Sequence, residues 1–157
     1  MNRTTGALLA AASALGLAVS LKRRREDTER LVHRYYDAWQ RCDTGRLRDV
    51  LAEDYRGHVH TLAGTEERDA EQLEALLQAH CDSFEWTKFD VKDVLRDGDR
   101  LGARVAMRAG HRETLREAEM DGLVILRVDK GRIAEEWASW DYLGLARQLG
   151  LDVSLED

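Results

Sequence analysis

The chain has 157 residues, 43% of them hydrophobic and 34% charged, enough for one globular domain with its own core. Its formal net charge of −6 argues against a nucleic-acid partner, because phosphate binding calls for a basic face. With no proline at all, turns must depend on glycine and aspartate.

The first segment differs from the rest. Residues 4–21 carry no charge, and Lys22, Arg23, Arg24 and Arg25 follow at once. Residues 1–25 are therefore set apart as an apolar leader with a basic flank, and residues 26–157 as the folded domain. The leader is marginal for spanning a bilayer, which takes about 20 residues. Ala18-Val19-Ser20 also resembles a signal-peptide cleavage site. The basic cluster after the apolar run favours a short anchor, giving possible membrane contact through residues 4–21 and a cytoplasmic domain.

From Glu26 to Cys42 the pattern is helical, with Leu31, Tyr35, Ala38 and Cys42 on one face, widened by Val32, Tyr36 and Trp39. Asp43-Thr44-Gly45 ends it, and a short second helix runs to about Ala52. His58 and His60 share one side of an extended segment, an arrangement that could present imidazoles to a metal; with no carboxylate or thiol close in sequence, no metal is assigned. Residues 65–84 are predicted as a third helix, with Leu73, Leu76, Leu77, His80 and Phe84 inward and an acidic first half. His80 is read as a core-edge histidine. Cys42 and Cys81 lie among apolar residues and are expected to be buried free thiols; a disulfide between them would need an oxidising compartment.

Strands follow. Phe89, Val91, Asp93 and Leu95 alternate with polar residues, Asp97-Gly98 turns the chain, and Leu101 to Ala109 form an apolar row that His111 continues. Leu123 to Val128 is uniformly apolar and is expected to be buried on both faces. In the closing strand Ile133, Glu135, Trp137, Ser139 and Asp141 fall on one side, and Ala134, Glu136, Ala138 and Trp140 on the other. After Asp141 the period becomes helical until Gly150. Asp141, a carboxylate beside indole rings, can be a desolvated general base or simply the cap of that helix.

The run Gly131 to Gly150, with its W-x-x-x-D-x-L-G-L-x-x-Q-L-G pattern, resembles the closing strand and tail of SnoaL-like proteins, polyketide-cyclase relatives in the nuclear-transport-factor-2-like superfamily. The segment L-V-H-R-Y-Y-D-A-W-Q-R-C-D followed by L-A-E-D-Y is similar to that family's opening helix pair. The resemblance implies an α+β, cone-shaped fold: three N-terminal helices packed on a strongly curved, mainly antiparallel sheet around an apolar cavity. It also implies a general acid/base role for Asp141, a pocket-facing place for His58, and a histidine after a strand, here His111 in Ala109-Gly110-His111. The residues 112–120 depart from the family and leave the substrate open.

Asp141 and His111 are thus the catalytic candidates, and Trp137, His58, Tyr36 and Trp39 the substrate-binding ones. The expected activity is acid/base chemistry of cyclase, isomerase or dehydratase type on a small apolar carbonyl compound, with no cofactor. The alternative is a non-catalytic ligand-binding or protein-interaction domain, membrane-tethered through the leader. A homodimer is expected from the superfamily. Epoxide opening ranks last, since its Arg-x-Asp pair occurs only as Arg127-Val128-Asp129, at a turn.

Overall fold

The structure, a computed structural model, describes residues 29–152. Helix α1 covers residues 29–41 of the described chain and α2 covers Thr44–Val50. Then come β1 (Leu51–Thr61), β2 (Gly64–Arg68), α3 (Ala70–Ser83), β3 (Phe84–Asp97), β4 (Arg100–His111), β5 (Glu117–Asp129), β6 (Arg132–Trp140) and α4 (Tyr142–Leu149). The six strands form one sheet in the order β2-β1-β6-β5-β4-β3. Every pairing is antiparallel except β1 with β6.

This is the α+β architecture expected, with two differences in its elements. Thr65 to Arg68 pair as a strand with Gly57 to His60, so α3 begins only at Ala70. Asp69 sets that start: its carboxylate accepts from the Gln72 amide and the Gln72 side chain returns to the Asp69 amide, a complete capping box. The acidic residues before it belong to the hairpin. The second difference concerns β5. Val124 and Leu126 are buried, but Leu123 and Ile125 are 64% and 45% exposed, so the strand covers the core on one face only.

One face of the sheet holds the core. Leu101, Ala103, Val105 and Met107 from β4, Val124 and Leu126 from β5, and Ile133 and Ala138 from β6 lie under Leu31, Val32 and Tyr35 of α1. A bulge in β6 decides which other side chains join them. In β6, Ile133 pairs with Val128 but Glu135 with Arg127, which leaves Ala134 as one extra residue. Such a bulge reverses the inward row. Ile133 and Glu136 consequently face the same side. In β1 the register to β6 slips between Leu51 and Arg56, while Leu51, Tyr55, Gly57 and Val59 keep one inward row.

Cys42 and Cys81 are joined in a disulfide, with Cα atoms 5.9 Å apart, in place of the free thiols expected. Sequence gave no close spacing because the partners sit 39 residues apart, at the ends of α1 and α3. Among the described residues no helix is long and apolar enough to cross a membrane. The apolar run of residues 4–21 lies outside the described residues.

Closing a loop of this length restricts the unfolded chain by about 4 kcal/mol in the chain-entropy account. Cys42→Ser/Cys81→Ser is therefore expected to lose about 2–4 kcal/mol in urea unfolding. Reductant should reproduce that loss in the wild type and leave the double variant unchanged.

Candidate functional site: a carboxyl group buried in an aromatic cavity

Between the inner sheet face and helices α1 and α3 lies a cavity of about 270 Å³. Its wall is mostly apolar and aromatic, with Leu73 and Leu76 from α3, Phe84 and Phe89 from β3, Met107 from β4 and Trp140 from β6. Trp140 can lie flat there because Gly122 is its cross-strand partner. A Cβ at Gly122 would fall 2.3 Å from the indole.

Glu136 is the carboxyl group of this wall. It is 4% exposed, the only buried charged side chain among the described residues. Tyr55 donates to its Oε2 at 2.6 Å and Tyr35 donates to the same oxygen at 2.9 Å. Both donors now fall on Oε2, which leaves Oε1 as the atom able to address an occupant. Tyr55 reaches the site from the inward row of β1, over Gly57. A Cβ at Gly57 would stand 2.7 Å from the Tyr55 hydroxyl.

Burial raises the pKa of Glu136, and this outweighs the hydrogen bonds from Tyr55 and Tyr35 and the charge of Arg68, all of which act to lower it. Burial, followed by the Glu136 charge, raises Tyr35 and Tyr55 as well, so both hydroxyls stay protonated donors. His80 is pushed down to about 4 by burial and is a neutral imidazole at pH 7. It bonds Thr87 Oγ1 at 2.8 Å and meets Trp39 edge-to-face at 5.6 Å. Arg68 reaches the wall while paired with Glu66 at 2.6 Å.

Of the residues picked from sequence, the structure brings Tyr36 and Trp39 to the cavity. Asp141 is not among its lining residues. It is exposed and caps α4, its Oδ1 accepting from the Gly144 amide at 2.8 Å. His111 stands past the end of the inward row, half-buried, with Nδ1 3.1 Å from Thr114 Oγ1. Trp137 and His58 lie across the sheet from the cavity. Their rings stack at 5.5 Å, Arg100 covers the indole at 5.0 Å, and His58 Nε2 is 3.1 Å from Glu135 Oε1.

The physical reason is the bulge at Ala134. Read straight from the buried Ile133, the period-two row runs through Glu135 and Trp137 to Asp141; with one residue inserted, the inward row is Glu136, Ala138 and Trp140. Glu136, Tyr55, Arg68 and Tyr142 were missed. One signal was available for Glu136: it is the single charge in a row otherwise made of Ala134, Ala138 and Trp140. Tyr55 had one as well: it shares a period-two row with Leu51 and Val59, opposite His58. Among the described residues no group of three or more His, Cys, Asp and Glu side chains could hold a metal ion.

A curved, mainly antiparallel sheet with helices closing its hollow is the fold of the nuclear-transport-factor-2-like, ketosteroid-isomerase-like class. The SnoaL-like polyketide cyclase family matches residues 29–149, and the chain belongs to that family. Among solved structures it is similar to wild-type IdmH, a putative polyketide cyclase from Streptomyces antibioticus, at 28% identity and a TM-score of 0.71. That match covers 79% of this chain and 99% of IdmH. A putative polyketide cyclase from Bacillus cereus shares 23% identity with a TM-score of 0.71, over 81% of this chain and 83% of its own. AclR, a putative hydroxylase from Streptomyces galilaeus, has 19% identity and a TM-score of 0.70, over 80% and 96%. No curated protein matches the chain. The last two likenesses speak for the fold alone.

The raised pKa of Glu136 has a consequence for stability. Its native value lies above that of the unfolded chain, about 4.3 for a free glutamate. Folding is thus most favoured while the group is protonated, and stability falls as pH climbs from that value through the native one. Relative to wild type, Glu136→Gln should show a flatter stability profile across this window in denaturant titrations at stepped pH. Tyr55→Phe removes a hydrogen bond that holds the pKa down, so the carboxyl midpoint, followed by ¹³C NMR of the glutamate side chains, should move up.

Proposed function

We propose that this domain carries out general acid/base chemistry on a small apolar carbonyl compound, with Glu136 as the proton-transferring group. The observation behind this reading is a single carboxyl, buried against apolar surface with its pKa raised, at the wall of a cavity of small-molecule size. A base works best with a pKa near the operating pH, and desolvation moves a carboxyl in that direction. Tyr35 and Tyr55 fix the carboxyl through Oε2, and Oε1 takes a proton from the carbon next to the substrate carbonyl. The bond electrons pass to the carbonyl oxygen as an enolate. Return of the proton to another carbon gives isomerisation, attack of the enolate on a second carbonyl gives ring closure, and loss of a β-hydroxyl gives dehydration. Family membership supports the cyclase variant. No cofactor is needed for the proton transfer itself.

Asp141 takes no part in this reading, because its carboxylate is committed to the α4 cap in solvent. As for compartment, the Cys42–Cys81 disulfide supports an oxidising one, which sets it against the cytoplasmic side favoured by the basic flank of the leader.

Hydrogen–deuterium exchange at the α-carbon of a bicyclic aryl ketone, 1-tetralone, measured by proton NMR, tests the chemistry. Wild-type protein should accelerate exchange, with a rate that rises with pH through the Glu136 midpoint. Glu136→Gln should lower the catalysed rate about 100-fold or more, and Asp141→Asn should leave it within about threefold, since asparagine caps a helix as well as aspartate does. Wild-type exchange no faster than buffer, or an equally active Glu136→Gln, removes the reading.

A further inference from the structure

Two donors on the cavity wall have no partner among the described residues. Tyr36 Oη and Trp39 Nε1 are buried, and no described group accepts from either. Both residues line the cavity. They stand three positions apart on α1, hence on one face of that helix. A donor left unsatisfied in the interior is costly, and native structures hold few of them. Their neighbours offer no remedy: Tyr36 is packed against Phe89 at 5.1 Å and Trp140 at 6.2 Å, and Trp39 against Tyr35 at 6.4 Å and His80 at 5.6 Å. The imidazole of His80 is engaged with Thr87.

We propose that Tyr36 Oη and Trp39 Nε1 are a two-donor receptor for the carbonyl oxygen of a neutral, flat, apolar ketone, placed so that Glu136 addresses the adjoining carbon. This rests on the acid/base reading for Glu136 and adds to it the part of the site that holds the oxygen. Three features fix the ligand class. Two donors with no acceptor beside them select an oxygen acceptor. Mostly aromatic and aliphatic walls select a flat apolar body. The one cation at the wall, Arg68, is already paired with Glu66, so a neutral oxygen is favoured over a carboxylate. Tyr36 also lies within the field of Glu136: after burial, the Glu136 charge is the next cause that raises its pKa, and the phenol remains a donor. During proton abstraction the carbonyl oxygen gains charge, and the two donors then bind it more strongly than in the ground state.

The test uses 1-tetralone and the hydrocarbon tetralin, which share a ring frame and differ in the oxygen, with binding to the full-length protein followed by calorimetry. Tyr36→Phe should weaken 1-tetralone about tenfold, the value of one hydrogen bond to a buried partner, and leave tetralin within about twofold. Trp39→Phe should do the same for the ketone relative to tetralin. The bound ketone should show its C=O stretch at lower wavenumber than in alkane, and the double variant should lose that displacement. Without ligand, Tyr36→Phe should melt about 2–4 °C higher, because an unsatisfied hydroxyl is gone. Equal losses for both probes, an unchanged ketone affinity in Tyr36→Phe, an alkane-like stretch in the wild type, or no binding of 1-tetralone at millimolar concentration would each overturn the receptor. Failure of the exchange experiment with these results intact removes the base and keeps the receptor; catalysed exchange that Tyr36→Phe leaves untouched, with affinity also untouched, does the reverse.

Discussion

A carboxyl group kept out of water is the constraint around which this domain is arranged. Glu136 is held on the inner face of β6 with two tyrosine hydroxyls on one oxygen and aromatic rings around it. Burying such a group is costly unless it is hydrogen-bonded or neutralised. Here both remedies operate: Tyr35 and Tyr55 bond it, and its pKa rises so that the neutral form persists to higher pH. Those donors come from α1 and β1, 101 and 81 residues before Glu136, so the helix layer and the sheet have to dock correctly for the group to be tolerated at all. Fold and site therefore share one set of contacts.

The same arrangement explains why the cavity exists. Small residues at Gly57 and Gly122 leave room for Tyr55 and Trp140, which take the space that side chains there would fill. The disulfide ties the ends of α1 and α3, and both helices contribute wall residues, Trp39 just before Cys42 and His80 next to Cys81. A wall pinned in this way keeps an apolar hollow open at the cost of some packing. On α1, the buried donors without partners among the described residues cost stability in the same way.

Opposite the cavity the sheet has different chemistry. Trp137 lies between His58 and Arg100, and Glu135 accepts from Arg127 at 3.0 Å and pairs with His58. These residues satisfy one another on the outer face. An aromatic and a histidine can look like a pocket in sequence and be a self-contained surface cluster in space. Alternation along a strand tells which residues share a side, and it does not tell which side is hollow.

Much of the architecture was legible in the chain itself. The apolar period of residues 31–42, the alternation from Leu101 to Ala109 and the Asp97-Gly98 turn placed several main elements, and the W-x-x-x-D-x-L-G-L-x-x-Q-L-G tail implied the fold class through the family it resembles; Tyr36 and Trp39, two of the substrate-binding candidates, line the cavity. These are local signals, and local signals survive in one dimension. The tertiary structure decided what depends on pairing between distant segments. A single extra residue at Ala134 exchanged the two faces of β6, moving Glu136 inward and leaving Asp141 as a helix cap; pairing of β1 with β6 set Tyr55 on Glu136; and docking of α1 on α3 joined Cys42 to Cys81. The reason is geometric: strand periodicity has only two phases, so one inserted residue reverses the meaning of every residue after it, and only the partner strand records the insertion.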